Sequence, residues 1–343
     1  MEFGSDFHCI APRGGLAGSW ASLYPSVLLY ASGRQALTDL YFSRGWKRIW
    51  VPEYFCYDVL ASWQVAGLNL CFYPDYLGTD DETVVRSIAF QDGDALLRVN
   101  YFGMRLRRSN AGIPVPVVED HTHDLIGDWA SGSDADYCLA SLRKTLPVAE
   151  GGVLWSPRGC PLPPVPSLLP ENESVAGRRW EAMRMKAQYL AGGAVEKDAF
   201  RQVFLETEAY YDTAPVSSLD AQSQTFFRDF DIVGWYNCKC QNFEALTSME
   251  SRHFTIMAPE GEACYPFSLV VLCESAAYRN QLRRRLIADE IYPAVLWSIP
   301  PEASVSEAAR SFAGRMLSLH CDGRYSLADM QLLRSRIEAI VSA

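Results

Sequence analysis

The chain has 343 residues, of which 49% are hydrophobic, 12% aromatic and 21% charged. This composition provides a sizeable core and argues against a disordered or fibrous protein. There are 31 Lys and Arg residues against 41 Asp and Glu, and the formal net charge is −10. That balance argues against a general nucleic-acid binder, because such proteins neutralise phosphates with basic residues.

The sequence carries no signal for membrane insertion or export. No stretch approaches the roughly 20 consecutive apolar residues that a membrane-spanning helix needs. The first residues lack the basic start and apolar core of a secretory signal. The 10 Cys residues form no CxxC pair, so we expect mostly buried thiols in a reducing cytoplasm.

Short apolar runs alternate with helical patterns between about residues 30 and 160. The predicted helices here are Ala36–Phe42, which opens after Ser32-Gly33, and Asp58–Ala66. The predicted strands are Arg48–Pro52, Leu68–Tyr73, Ala95–Asn100, Val115–Glu119 and Tyr137–Ala140. This alternation predicts an α/β protein with a mainly parallel sheet covered on both faces.

The second half of the chain begins with a connector. Residues 157–175 hold six prolines, which predicts irregular structure. The elements predicted after it are a helical stretch Gly177–Tyr211, a helix Asp229–Leu246, a strand Phe267–Cys273, and helices Ala276–Ala288 and Leu327–Val341. Their order predicts a small α/β or α+β domain at the C-terminus.

The densest polar cluster is EDHTHD at residues 119–124, which directly follows a strand-like run. Ligands gather at the carboxyl ends of parallel strands, where this cluster would lie. His121 and His123 with flanking carboxylates can hold zinc or another divalent ion. A solvated loop with one capping Asp is the plainer interpretation, and a different cofactor role is the third.

A lysine follows the next predicted strand. Lys144 is succeeded by Glu150-Gly151-Gly152, and a Gly-Gly pair lets a chain turn tightly against a ligand. Chemistry with pyridoxal 5'-phosphate (PLP) needs a lysine amine for the cofactor aldehyde and a carboxylate that keeps the ring nitrogen protonated. Lys144 and Asp120 provide that pair.

A third segment, Ser32-Gly33-Arg34-Gln35, opens a predicted helix. The N–H groups and the positive dipole end of a helix start favour an anion, so this segment is a candidate phosphate cradle with Arg34 as an extra charge. A simple helix cap is the alternative.

These segments together resemble the DegT-type sugar-nucleotide aminotransferases, which have the aspartate-aminotransferase fold. The matching stretches are SGRQAL (32–37), VPEYFCYDVLASWQVAG (51–67), VNYFGM (99–104), VVEDHTHDLIG (117–127) and SLRKTLPVAEGG (141–152). The resemblance implies PLP fold type I, with a mostly parallel seven-stranded sheet. It also implies a large PLP-binding domain over residues 1–260 and a small C-terminal α/β domain over residues 261–343.

The resemblance also implies roles for individual residues. Lys144 would be the Schiff-base lysine and proton shuttle, Asp120 the partner of the pyridine nitrogen, and His123 a donor beside the phenolic oxygen of the ring. The phosphate would be held by Gly33, Arg34, Gln35 and Ser141.

Two further assignments concern the ring and the substrate. Cys56 stands where the family has a ring-stacking aromatic residue, so a neighbour is expected to take that role, Tyr54, Phe55 or Tyr57. Arg324 is the candidate for binding the carboxylate of the amino donor, with a structural salt bridge as the alternative.

The implied reaction moves an amino group from an amino acid, with glutamate as the expected donor, to a nucleotide-linked keto-sugar in polysaccharide or glycan biosynthesis. It would run in two halves through a pyridoxamine intermediate. The resemblance further implies a homodimer with shared active sites. A cytoplasmic location and no nucleic-acid or membrane partner are expected from the cysteines, the charge balance and the short apolar runs described above. Three alternatives stay open: a PLP enzyme of this fold with a non-sugar substrate, a metal-dependent hydrolase using His121 and His123, and a non-catalytic sugar-nucleotide binder.

Overall fold

The structure is a computed structural model that describes residues 1–10, 24 and 26–342. The strands in these residues are β1 (Phe3–Gly4), β2 (Val27–Tyr30), β3 (Arg48–Pro52), β4 (Leu70–Tyr73), β5 (Asp94–Val99), β6 (Val117–Asp120), β7 (Tyr137–Ser141), β8 (Gly152–Trp155), β9 (Phe254–Ile256), β10 (Leu269–Cys273), β11 (Ile291–Tyr292) and β12 (Met316–Leu319). The α-helices are α1 (Gly33–Arg44), α2 (Tyr57–Val65), α3 (Asp81–Ser87), α4 (Asp128–Ser131), α5 (Pro170–Leu190), α6 (Lys197–Tyr210), α7 (Ala221–Asp229), α8 (Ile232–Thr247), α9 (Ala276–Ala288), α10 (Glu307–Arg315) and α11 (Leu327–Ser342).

Seven strands form the central sheet in the order β2-β8-β7-β6-β5-β3-β4. The five strands from β7 to β4 in this order run parallel, whereas β8 is antiparallel to both of its neighbours. The prediction of an α/β protein with a mostly parallel seven-stranded sheet is therefore confirmed, and the sheet is mixed. Residues 142–151 between β7 and β8 are too few for a parallel crossover, which needs about a dozen or more, so the chain reverses direction there.

The parallel strands bring three chain segments to one edge of the sheet. β5, β6 and β7 are neighbours in parallel register and end at Val99, Asp120 and Ser141. β3 has the predicted bounds, and the other predicted strands of this sheet match within two residues at each end. The polar residues that follow these strands are consequently collected at a common edge.

Helix α1 is placed against the sheet by its capping residue and by a glycine. Ser32 is the N-cap, and its Oγ accepts a hydrogen bond from the Gln35 N–H at 3.3 Å. Gly152 in β8 faces the start of the helix, where a Cβ atom would lie 2.3 Å from the carbonyl carbon of Ser32. The Gly-Gly pair thus lets the N-terminus of α1 approach the sheet backbone, whereas the sequence had suggested close approach to a ligand.

The predicted helical stretch Gly177–Tyr211 is two helices, α5 and α6. The chain breaks at Gly192, whose φ of +82° lies in the left-handed region that glycine adopts readily. Pro170 begins α5, because the first helical position does not need the N–H that proline lacks, and the predicted connector over 157–175 is therefore shorter. The turn between the helices directs α6 back toward the sheet edge.

The C-terminal part builds a three-stranded antiparallel sheet in the order β12-β10-β9. Its buried side chains join those of the central sheet in one hydrophobic cluster, which contains, for example, Val51, Leu97, Val271 and Leu317. β1 pairs with β11, so the first residues also pack on this part. β9 belongs to the C-terminal sheet, although it precedes residue 261, where the sequence analysis places the domain boundary. That boundary stays a prediction.

The sequence analysis made predictions about the cysteines and about membrane-spanning helices. All ten cysteines, which lie within the described residues, are free thiols. Among the described helices, none has the length and apolar character needed to cross a bilayer.

Candidate active site

One cavity lies at the sheet edge where β5, β6 and β7 end, and its volume is about 160 Å³. Five parts of the chain line it: Ser32, Gly33 and Arg34; Phe55, Cys56, Asp58, Val59 and Trp63; Val99 and Asn100; Asp120, Thr122, His123, Leu139, Ser141, Arg143 and Lys144; and the distant residues Glu208, Phe267, Leu296 and Trp297.

Asp120 lies at the end of β6 with its carboxylate on the cavity wall. Its Oδ1 accepts a hydrogen bond from the Thr122 N–H at 2.8 Å, and the Thr122 Oγ1 accepts one from the Ser141 N–H at 2.9 Å. Burial raises the pKa of Asp120 above its ordinary value. This carboxylate is therefore held rigidly at the cavity and is ready to bind a cationic hydrogen-bond donor.

Lys144 lies on the same cavity, in a short 3₁₀ turn over Leu142–Lys144 that follows β7. The neighbouring Arg143 guanidinium lowers the pKa of Lys144 to about 8. Its Nζ is 4.0 Å from the Glu208 Oε1, and its side chain is 46% exposed. A lysine with a depressed pKa has a larger fraction of neutral amine, which is the nucleophilic form.

His123 is buried between aromatic rings at the cavity. Its ring stacks on Phe267 at 4.6 Å and on Trp297 at 5.5 Å between centroids. Its Nδ1 accepts a hydrogen bond from the Phe102 N–H at 3.0 Å, so the ring proton resides on Nε2. Burial, together with the nearby Lys239 and Lys144, lowers the pKa of His123 to about 3. The ring is therefore a neutral hydrogen-bond donor at physiological pH.

Asn100 is a cavity residue that the sequence analysis did not select. It directly follows β5 and is buried, and neither its Oδ1 nor its Nδ2 has a hydrogen-bond partner among the described residues. An unpaired buried amide is costly, so it indicates a group intended for a ligand. The sequence does contain a signal for Asn100: it is a polar residue at the end of an apolar strand, as Asp120 is at the end of β6.

The start of α1 forms the opposite part of the wall with Ser141. A Cβ atom on Gly33 would lie 3.2 Å from the Ser141 Cβ, so glycine permits this close approach. Arg34 also lines the cavity, where its guanidinium binds Asp212 and, at 3.2 Å, Glu208. Gln35 lies outside the cavity lining in the described chain, because its Nε2 donates to the Pro215 carbonyl oxygen at 2.7 Å.

Phe55 is the aromatic residue of the 54–57 segment that reaches the cavity, and it stacks on Trp63 with centroids 5.4 Å apart. Cys56 lies beside it on the wall, where burial raises the pKa of its thiol. Tyr57 is not part of the described lining, since its hydroxyl donates to the Glu53 carbonyl oxygen at 3.2 Å. The Tyr54 hydroxyl likewise donates a hydrogen bond, to the Leu296 carbonyl oxygen.

Two other predicted residues lie away from the cavity. The Arg324 guanidinium pairs with Asp322 at 2.8 Å and packs over the Phe7 ring at 4.3 Å, in agreement with the structural alternative. The His121 Nε2 bonds the Glu119 carboxylate at 3.1 Å, away from His123. The two imidazoles are thus held by different neighbours, and the described structure does not bring them together as a metal pair.

Glu119, His121 and Cys138 do lie close enough to hold an ion. However, the Glu119 carboxylate already accepts hydrogen bonds from Asn110 at 2.7 Å and from Ser133 at 2.6 Å. The cluster is accounted for as a buried hydrogen-bond network.

Comparison of the sequence with protein-family models and with curated proteins finds no match. Solved structures do match over nearly the whole chain. Spr1654 of Streptococcus pneumoniae, assigned as a sugar aminotransferase and solved in its PLP form, is 12% identical, with a TM-score of 0.64 over 100% of this chain and 99% of that chain. A DegT DnrJ EryC1 StrS aminotransferase from Brucella abortus is 15% identical, with a TM-score of 0.57 over 96% and 92%. DesI, solved in the presence of its TDP-sugar product, is 14% identical, with a TM-score of 0.61 over 94% and 82%.

The chain has the fold of the sugar aminotransferases. The resemblance noted from the sequence motifs is thereby confirmed at the level of the fold. None of these matches is to a hydrolase that uses a metal, so the alternative based on His121 and His123 gains no support.

Proposed function

We propose that the protein is a PLP-dependent aminotransferase that transfers an amino group from an amino acid, with glutamate as the expected donor, to a nucleotide-linked keto-sugar. The observation that carries this proposal is that Lys144 and Asp120 line one cavity together with the N-terminus of α1. The shared fold supports the reaction class, and DesI, with its TDP-sugar product, supports the class of acceptor.

The residues at the cavity fit the cofactor. Asp120 offers a buried carboxylate for the ring nitrogen, and Lys144 an amine of lowered pKa for the aldehyde. The helix start at Gly33 and the neighbouring Ser141 form a cradle for the phosphate. Asn100 has a buried amide without a partner in the described chain, which suits the polar edge of the ring.

When bound, the cofactor supplies an electron sink for the substrate α-carbon and a temporary carrier for the amino group. Asp120 would keep the proton on the ring nitrogen, because its buried carboxylate is held in place by the Thr122 N–H. Lys144 would hold the cofactor aldehyde through Nζ, and its amine would serve as the base that moves a proton at the substrate α-carbon. His123 would donate from Nε2 to the cofactor, and Phe55 and Trp297, whose rings lie 5.7 Å apart, would shield the cofactor ring from water.

Several further properties belong to the same proposal. We infer a homodimer with shared active sites, and a cytoplasmic location that the free thiols support. The product would enter polysaccharide or glycan biosynthesis. The division into a large unit (1–260) and a small C-terminal unit (261–343) is part of this proposal.

The proposal is tested by following the visible spectrum of the PLP-loaded protein. Addition of glutamate should bleach the absorption band of the bound cofactor, and a nucleotide-linked keto-sugar should restore it. Lys144→Ala should abolish both changes, whereas Lys47→Ala, at a lysine that is 69% exposed, should leave them intact. Turnover that survives in Lys144→Ala would refute the proposal, and restoration only by a keto acid that is not a sugar would assign the non-sugar alternative.

A further inference from the structure

Four cationic side chains surround the carboxylate of Glu208, which lies in the last turn of α6 on the cavity wall. The Arg143 Nη2 is 2.8 Å from Oε1, and the Arg34 Nη2 is 3.2 Å from the same oxygen. The Arg179 Nη1 lies 3.7 Å from Oε2, and the Lys144 Nζ lies 4.0 Å from Oε1. The Glu208 carboxylate therefore serves as the counter-ion for three arginines and one lysine.

The cluster carries surplus positive charge. Among the described residues, Asp212 is the one further carboxylate in an ion pair with these four cations, through Arg34. In the cofactor-free protein at neutral pH, where Lys144 is still mostly protonated, two carboxylates against four cations leave two positive charges. Side chains of the three arginines are only 6–7% exposed, and the Arg143 Nε is buried without a hydrogen-bond partner in the described chain. Uncompensated buried charge is costly, so the cluster is suited to take up an anion.

The chemistry next to the cluster indicates which anion fits. Arg34 lies in the first turn of α1, and Arg143 is two residues after Ser141, so both are beside the proposed phosphate cradle. A phosphate monoester carries a charge of about −1.5 to −2 at neutral pH. That charge matches the surplus of two, whereas a carboxylate would neutralise half of it.

We propose that Glu208 is an internal counter-ion that competes with the cofactor phosphate for Arg34 and Arg143 and thereby weakens phosphate binding. This inference rests on the proposed function, because the phosphate is that of PLP. The Glu208 side chain is 36% exposed, so it has room to turn away when a phosphate group enters. The competition keeps the arginines paired and makes the cofactor exchangeable.

The test uses the full-length protein freed of cofactor, with the variants Glu208→Gln and Asp212→Asn. Dissociation constants are measured for inorganic phosphate by calorimetry and for PLP by equilibrium dialysis. Removing one negative charge beside the arginines should tighten the binding of both ligands by about tenfold or more in Glu208→Gln. Asp212→Asn should change both constants in the same direction, by a smaller factor.

The matched control is Glu206→Gln, because Glu206 lies on the same helix and its partner Arg178 is 48% exposed. Its binding constants should stay within about twofold of wild type. If Glu208→Gln does not fold, as judged by thermal unfolding, Asp212→Asn carries the same test, since the Asp212 side chain is 47% exposed.

Unchanged or weakened phosphate binding in Glu208→Gln and Asp212→Asn would overturn the inference. Calorimetry with glutarate serves as the dicarboxylate comparison. Tighter glutarate binding in Glu208→Gln without tighter phosphate binding would also overturn the inference and assign the cluster to a carboxylate. A wild-type protein that takes up no PLP would instead overturn the proposed function. The inorganic phosphate measurement reports on the cluster alone and separates these two failures.

Discussion

Replacing Gly152 with alanine should displace the helix start that forms the proposed phosphate cradle. A Cβ atom at this position would lie 2.3 Å from the Ser32 carbonyl carbon, 2.4 Å from its oxygen and 2.6 Å from the Gly33 nitrogen. Non-bonded carbons sit at about 3.5–4.0 Å, so the two backbone segments would have to separate by about 1 Å. The clash is with backbone atoms, and no side-chain rotation relieves it.

The structure gives two magnitudes for Gly152→Ala. Overpacking of this kind lowers the free energy of unfolding by about 1–3 kcal/mol. A displacement of about 1 Å at a reacting site can cost roughly 100-fold in rate. We therefore expect the PLP affinity to fall by at least about tenfold, because the N–H groups at the start of α1 no longer face the phosphate.

The assay combines denaturant unfolding with a spectral titration of PLP. Gly177→Ala is the matched control, since Gly177 lies inside α5 and a Cβ there would have no neighbour within 4 Å. This control should gain about 0.5–1 kcal/mol of stability from the lower chain entropy and keep wild-type PLP affinity. Wild-type stability and PLP affinity in Gly152→Ala would show that the close approach of α1 to β8 does not build the site.

Three further predictions follow from individual contacts. Asp75→Asn should lower the free energy of unfolding by about 3 kcal/mol in a urea titration, because Arg105 is fully buried and would lose its counter-ion; an unchanged midpoint contradicts this. The rate of PLP attachment should rise with pH up to the Lys144 pKa of about 8 and then level off, since the neutral amine is the nucleophile; a flat profile contradicts this. Phe55→Ala should weaken PLP binding several-fold, whereas Tyr57→Ala should not, and equal effects would mean that Phe55 does not cover the ring.

Local sequence patterns were sufficient for the framework of the site. The apolar run before Asp120 predicts β6, and the turn at Ser32-Gly33 predicts the start of α1. Each of these signals is contained in a few consecutive residues, because strand burial and helix capping are local properties. The placement of Asp120 and Lys144 on one cavity followed from the parallel sheet together with the family resemblance.

Other features depend on tertiary packing that no local pattern encodes. Glu208, Phe267 and Trp297 reach the cavity from distant parts of the chain. Arg324 reads as a plausible carboxylate binder in the sequence, but Asp322, two residues earlier, holds its guanidinium. The antiparallel direction of β8 follows from the length of the preceding connection, which a list of apolar runs does not reveal.

The central claim is a covalent bond between the Lys144 amine and the PLP aldehyde. Incubation of the full-length protein with PLP, reduction with borohydride, proteolysis and mass spectrometry would locate the reduced cofactor. We expect one predominant modified peptide, containing Lys144, and loss of the label in Lys144→Ala. Label confined to exposed lysines such as Lys47, with Lys144 unmodified, would contradict the account.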